Sequence, residues 1–397
     1  MSGRVALAGS RASRYDTGTP PAPGERKERP LTDPHQITAI DLWPLDIPLN
    51  DPFVVATGSR VVAENAFVRL TLADGNQGYG EMAPLPEVGG ETRSECLGQA
   101  QILGQHLLGA SVLRYRALAS RLAEEAPGVP AARCGLETAL LDAFCRSANI
   151  PLWGLWGGMD VRPHETDITI PIADAPETLR LAQGWYALGF RLFKMKVGHD
   201  VDTDVRRLEA VHQACPGIAF ILDANQGYSR TTASAAVKGV RDFGGQIVLL
   251  EQPVPREDLD AMAALQREWR IPVAADESVR SCADLRAVIR GQAATFVNIK
   301  ITKTGVIPAL DIAEMTRGAG LRLMVGGMVE TRLAMGCSFG LVMGLGGFEV
   351  LDLDTPLLLA NDPCRGGYRY EGPRLLPWKE AGLGMTLAPP ANAIRLA

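Results

Sequence analysis

Two lysines stand two residues apart in the run Phe193-Lys194-Met195-Lys196-Val197-Gly198. Side chains alternate along an extended strand, so Lys194 and Lys196 share one face and Phe193, Met195 and Val197 the other. Like charges that close oppose each other's protonation, which would free a lysine to act as a base near neutral pH. Farther along, Asp223, Glu251, Asp276 and Lys300 each fall in or at the end of a separate apolar run. Asp223, Glu251 and Asp276 supply three carboxylates and no soft ligand, the set expected for a hard divalent cation such as Mg2+. None of the five histidines lies beyond His212, so a histidine-based zinc or iron site in the second half is excluded. Lys196 and Lys300 would flank whatever the metal holds. Two bases facing one carbon imply proton removal on one face and delivery on the other, which is racemisation or epimerisation. The metal would bind a carboxylate and stabilise the enediolate formed as the α-proton leaves. Lys194 and the metal both oppose protonation of Lys196, whereas for Lys300 the metal alone is evident.

These residues need a scaffold that brings distant strand ends together. Short β-rich runs alternate with amphipathic helical segments after Gly158, and eight strands are predicted: 166–172, 190–197, 219–224, 247–252, 272–276, 295–301, 321–326 and 348–352. Strand two carries the lysine pair, strand three ends in Asp223, strand four in Glu251, strand five in Asp276-Glu277, and strand six carries Lys300. One charge per β/α unit fits a (β/α) TIM-type barrel, whose active site collects at the C-terminal strand ends. Ile221 shares a face with Asp223, and Leu249 with Glu251, which points the polar residues inward. Asn225, on the face of Asp223, either supports the ligands or caps the next helix. An open dinucleotide-binding sheet is disfavoured, because no Gly-x-Gly-x-x-Gly opens a helix after an early strand.

Before the barrel, extended runs at 37–40, 53–55 and 66–72 and a hairpin turn at Asp74-Gly75 predict a small antiparallel sheet. Helices follow at 99–108 and 112–125. A third runs from about Pro130 with an apolar face of Leu136, Leu140, Ala143 and Phe144. The expected organisation is a disordered tail (1–35), an α+β capping domain (36–158), the barrel (159–357) and a C-terminal segment packing back on the cap (358–397).

With 397 residues, 46% hydrophobic and 21% charged, the chain is large enough for two cores. A net charge of −5 without a long basic run excludes the footprint of a nucleic-acid binder. No apolar stretch reaches bilayer-spanning length, so no membrane partner is expected. Seven scattered cysteines with no Cys-x-x-Cys pair fit a reducing cytoplasm. A homo-oligomer is compatible with this reading, and the partner expected is a small molecule.

Lys194-Met195-Lys196, Asp223-Ala224-Asn225-Gln226, Glu251-Gln252-Pro253, Ala275-Asp276-Glu277-Ser278 and Asn298-Ile299-Lys300 together resemble the enolase superfamily, in its muconate-lactonising subgroup. The resemblance runs from about Gln36 to the C-terminus. It implies that Lys196 and Lys300 are the acid/base residues and that Lys194 supports the substrate carboxylate. It also implies that Asp223, Glu251 and Asp276 hold Mg2+, with Asn225, Glu277 and Asn298 behind them. The mandelate-racemase subgroup takes a histidine base from later strands, and this chain has none there.

Leu351-Asp352-Leu353-Asp354-Thr355-Pro356 resembles the Asp-x-Asp motif with which dipeptide epimerases bind the substrate's free ammonium group. Asp352 and Asp354 are therefore expected at the substrate, together with Gly326 and Met328 of the strand-seven end. The activity implied is Mg2+-dependent inversion of the α-carbon of a dipeptide's C-terminal residue. The alternatives on this scaffold are an N-acylamino-acid racemase, an o-succinylbenzoate synthase or a muconate-type cycloisomerase. A Schiff-base aldolase or a non-catalytic binding barrel ranks lower. Cap loops at 52–61 and 82–91 would choose the side chain. Gly58 stands where the family's Ala-Glu epimerases offer an arginine, with Arg60 two residues later, and Glu87 is a candidate to face a cationic side chain.

Overall fold

A long antiparallel hairpin, Ile37–Val55 (β1) and Gly58–Leu72 (β2), opens the fold, and Gln77–Met82 (β3) adds a third strand. The computed structural model describes residues 33–397. Up to residue 32, the tail expected over 1–35 falls outside the described residues. The predicted turn is present: Gly75 adopts a φ of 86°, and Asp74 Oδ1 accepts the Asn76 N–H at 2.8 Å. Segment 52–61, expected as a loop, is instead the paired tip of the hairpin, where Phe53 lies opposite Arg60 and Val55 opposite Gly58. Its aromatic and β-branched residues suit a pleated, half-buried surface, so pairing persists to the turn at Ala56-Thr57. Segment 82–91 contains one helical turn, Pro86–Val88.

Three helices follow: Arg93–Leu107 (α1), Tyr115–Glu125 (α2) and Pro130–Ser147 (α3). α1 starts ahead of the predicted Gln99 because Thr92 and Glu95 form a capping box: Thr92 N–H donates to Glu95 Oε2 at 2.7 Å, and Glu95 N–H to Thr92 Oγ1 at 3.3 Å. α3 buries far more than the predicted stripe, taking Arg133, Glu137 and Asp142 out of water as well. It lies between β3 and the turn Ile301–Thr304 that follows the sixth barrel strand, so both its sides are covered. Glycine permits that approach. A Cβ on Gly78 would meet Ala139 O at 2.1 Å, and one on Gly80 would meet Gly135 O at 1.9 Å.

The eight predicted barrel strands are all present, as Ile168–Ile170, Leu192–Lys196, Ala219–Asp223, Ile247–Glu251, Val273–Ala275, Phe296–Ile299, Arg322–Val325 and Phe348–Leu351. They form one parallel sheet in sequential order. Asp167 N–H donates to Leu351 O at 2.9 Å, bringing the last strand back to the first. Ile221, Leu249, Ala274, Phe296 and Met324 form a separate cluster inside the ring. Because side chains alternate, Lys194 stands on the same inner face, level with Ile221, and Lys196, Asp223 and Glu251 follow one layer nearer the C-terminal ends. Ile394–Leu396 pairs antiparallel with β1, Leu396 opposite Ile40. Among the described residues, no helix is long and apolar enough to cross a membrane.

Candidate active site

Parallel register sets the site. Lys196 is paired with Asp223, and Asp223 with Glu251, so the ends of strands two, three and four are level. Asp276 follows the fifth strand, and Lys300 follows the sixth. Lys194, Lys196, Asp223, Glu251, Asp276 and Lys300 are all at least 95% buried. Lys194 Nζ lies 3.1 Å from Asp223 Oδ2, 2.9 Å from Glu251 Oε2 and 2.6 Å from Asp352 Oδ2. Lys196 Nζ donates to Asp223 Oδ2 at 2.6 Å and to Asn225 Oδ1 at 3.2 Å. Lys300 Nζ approaches Asp276 Oδ2 to 2.6 Å.

These contacts revise the electrostatics expected from the lysine pair alone. Burial opposes the charge on Lys194, but Asp352, Glu251, Asp223 and Asp167 outweigh it and raise its pKa well above the usual lysine value. Lys300 is also raised: burial works against the ammonium, and Asp276 more than compensates. Neighbouring carboxylates, not the like-charged neighbour, dominate at both. The carboxyls split accordingly. Burial and then the Asp223 charge push Glu251 up to about 8, while at Asp223 burial is outweighed by Lys196, Lys194 and Lys300, holding it at about 2.

The supporting residues are in contact. Asn225 does not cap the next helix, whose N-cap is Ser229. Its Nδ2 instead donates to Glu277 Oε1 at 3.3 Å. Asn298 Nδ2 donates to Glu251 Oε1 at 2.9 Å. The substrate-side residues separate. Asp352 and Met328 line the central pocket, a cavity of about 30 Å³, together with Lys194, Lys196 and Lys300. Gly326 lies behind it, where a Cβ would meet Asn298 Oδ1 and Asp352 Oδ2 at 2.9 Å, and Gly327 takes its place in the lining. Asp354 is also behind the wall, its Oδ2 accepting the Thr169 N–H at 2.6 Å. The roof is apolar, made by Phe53, Val55, Leu85 and Val88. Glu87, the candidate for a cationic side chain, is held by Arg60, whose Nε donates to both carboxylate oxygens at 2.9 Å. Neither charge is left for a ligand.

Two charged residues escaped the sequence reading. Lys303 Nζ donates to Asp276 Oδ1 at 2.5 Å and Asp276 O at 2.6 Å. Its signal was a lysine three residues after Lys300, facing the same mouth only because a helical turn follows the strand. Asp167 is fully buried with both oxygens unpartnered among the described residues. It meets Asp352 and Asp354 in a compact group with ligand atoms within 4.8 Å of one another. The predicted trio of Asp223, Glu251 and Asp276 spreads toward the lysines instead. Its donor set still fits a hard cation. Lys194, Lys196, Lys300 and Lys303 face Asp167, Asp223, Glu251, Asp276, Glu277, Asp352 and Asp354, so carboxyl groups outnumber ammonium groups by three, a charge excess when all are ionised. Such an excess is costly away from water without protons or a bound cation.

This fold and inward-facing lysine and carboxylate set define a class. Residues 39–157 match the family described as mandelate racemase / muconate lactonizing enzyme, N-terminal domain, and residues 177–391 match the enolase C-terminal domain-like family. The chain belongs to the enolase superfamily, in its muconate-lactonising branch, and is an isomerase of the racemase and epimerase type. Among its relatives, the aromatic dipeptide epimerase of Herpetosiphon aurantiacus is 42% identical over 89% of this chain and 100% of its own length. The hydrophobic dipeptide epimerase of Citrifermentans bemidjiense is 36% identical over 86% of this chain and 95% of its own. The structure of a dipeptide epimerase from Cytophaga hutchinsonii, complexed with Mg and D-Ala-L-Val, superposes with a TM-score of 0.86 at 29% identity, covering 91% of this chain and 99% of that one.

Proposed function

We propose that the protein is a Mg2+-dependent dipeptide epimerase that inverts the α-carbon of the C-terminal residue, preferring a large apolar side chain there. The observation that carries this reading is that Lys196 and Lys300, from strands two and six, line one pocket together with Asp276 and Asp352. Asp223, Glu251 and Asp276 would hold the ion, which when bound supplies Lewis-acid stabilisation to the substrate carboxylate. Lys194 adds a fixed positive charge beside that carboxylate. One of Lys196 and Lys300 removes the α-proton, and the other returns a proton to the opposite face. Asp352, at the pocket wall, accepts the substrate's ammonium hydrogens, a group an N-acylated amino acid lacks. The roof of Phe53, Val55, Leu85 and Val88 offers an apolar side chain burial, and Arg60 is committed to Glu87. The relatives named for aromatic and hydrophobic dipeptides agree with that roof.

Incubation with L,L-dipeptides in deuterium oxide should give α-deuteration with formation of the L,D product. Chelation should stop it, and added Mg2+ should restore it. Lys300→Met should lose inversion while still exchanging the α-proton of one epimer. Absence of exchange across a broad dipeptide set would overturn the reading.

A further inference from the structure

We propose that the large cavity beside the catalytic pocket is a vestibule that binds the carboxylate of an incoming peptide, with Arg133 as its anchor. The cavity measures about 710 Å³ and is walled by Glu91, Glu95 and Arg133 from the cap and by Arg280, Thr302 and Lys303 from the barrel. It shares Leu85, Arg280, Lys303 and Met328 with the catalytic pocket, so the two spaces meet at a common wall.

Arg133 is 93% buried, being 7% exposed, and among the described residues its side chain has no hydrogen-bond or ion-pair partner. Helix spacing offers it one: Glu137 is a turn farther along α3, where opposite charges usually pair. Glu137 is near enough to act on Arg133 electrostatically but makes no hydrogen bond or ion pair with it; its Oε2 accepts the Ile307 N–H at 2.8 Å.

The other charges around the cavity are engaged. Glu91 Oε1 accepts the Ala131 N–H at 2.5 Å, and Glu95 closes the capping box with Thr92. Arg280 Nη2 donates to Val88 O at 2.9 Å and Nη1 to Gly89 O at 3.2 Å. Lys303 is on Asp276. Arg133 is thus the lining cation left without a protein partner among the described residues. A guanidinium does not shed its charge, and its planar fork matches a carboxylate with two parallel hydrogen bonds. A peptide's carboxylate is the anion the adjoining catalytic pocket requires. The identity of that anion rests on the epimerase reading, but the anion site itself does not.

Two measurements separate these claims. Saturation-transfer NMR with acetate on the metal-free full chain should show binding that weakens about tenfold in Arg133→Gln and recovers in part in Arg133→Lys. In steady-state assays Arg133→Gln should raise KM for dipeptides about tenfold and act little on kcat, with an unchanged unfolding midpoint. Equal acetate binding by the wild type and both variants, or none by the wild type, overturns the vestibule whatever the substrate proves to be. Loss of acetate binding without any dipeptide turnover would uphold the anion site and refute the peptide assignment.

Discussion

Replacing Lys194 with methionine tests the charge balance on which the site depends. Its ammonium lies within 3.1 Å of Asp223, Glu251 and Asp352, and the residue is only 1% exposed. At an effective dielectric constant of about 20, each contact contributes roughly 5–6 kcal/mol of attraction, most of it offset by desolvation. Removing one partner from such a buried network typically costs about 3–5 kcal/mol, because the remaining charges lose their counter-ion. The loss should depend on pH. Burial already raises Glu251, while Asp352 stays low because Lys194 first, and then Lys300, outweigh its burial. Without Lys194 both carboxyls shift up in the folded state and hold protons that the unfolded chain releases. Stability lost to that shift is largest above the folded pKa values and recovers as pH falls toward the unfolded values. Urea unfolding of metal-free wild type and Lys194→Met, followed by circular dichroism, should therefore show a deficit of about 3–5 kcal/mol near pH 9 that shrinks toward pH 5. A deficit below about 1 kcal/mol at both values, or one that grows on acidification, would refute the assignment of Lys194 as the central counter-ion.

Two further perturbations probe the roof and the cap. Leu85→Ala removes part of the apolar roof and should lower kcat/KM for dipeptides ending in a large apolar residue about tenfold, leaving those ending in alanine nearly unchanged; a uniform drop would argue against a side-chain pocket. Burial pushes Glu137 up to about 7, so it retains a proton in the folded state that the unfolded chain loses near pH 4.5, and stability falls as pH rises through that window. Glu137→Gln should remove this slope and gain on the order of 2 kcal/mol over wild type at pH 8 but little at pH 5, measured by urea midpoints.

The eight-strand barrel was legible because each strand is a short apolar run ended by turn residues, and because a charged residue recurs once per unit. Inward orientation followed from the two-residue period of strands, so Lys194, Lys196, Asp223, Glu251 and Lys300 could be placed in one mouth before any coordinates. Asp276 was harder, since its strand is only Val273–Ala275 and the carboxylate lies beyond it. The start of α1 was misplaced because apolar periodicity begins later than the Thr92–Glu95 capping box. The burial of α3 on two sides was illegible for a different reason, since nothing local in its sequence states what will cover it.

Residue types and spacing determined by themselves that this chain builds a parallel barrel with lysines and hard carboxylates at its C-terminal mouth. Those features depend on local periodicity, which a sequence carries directly. Only the tertiary structure decided which charges pair. It tied Arg60 to Glu87, drew Lys303 onto Asp276, set Asp354 behind Asp352 next to Asp167, and left Arg133 facing a cavity. Arg60 and Glu87 meet only when the cap's hairpin and its following loop fold together, and Asp167 and Asp352 only when the last barrel strand returns to the first. Electrostatic energy depends on separations of a few ångströms and on exclusion of water, neither of which is a property of a motif.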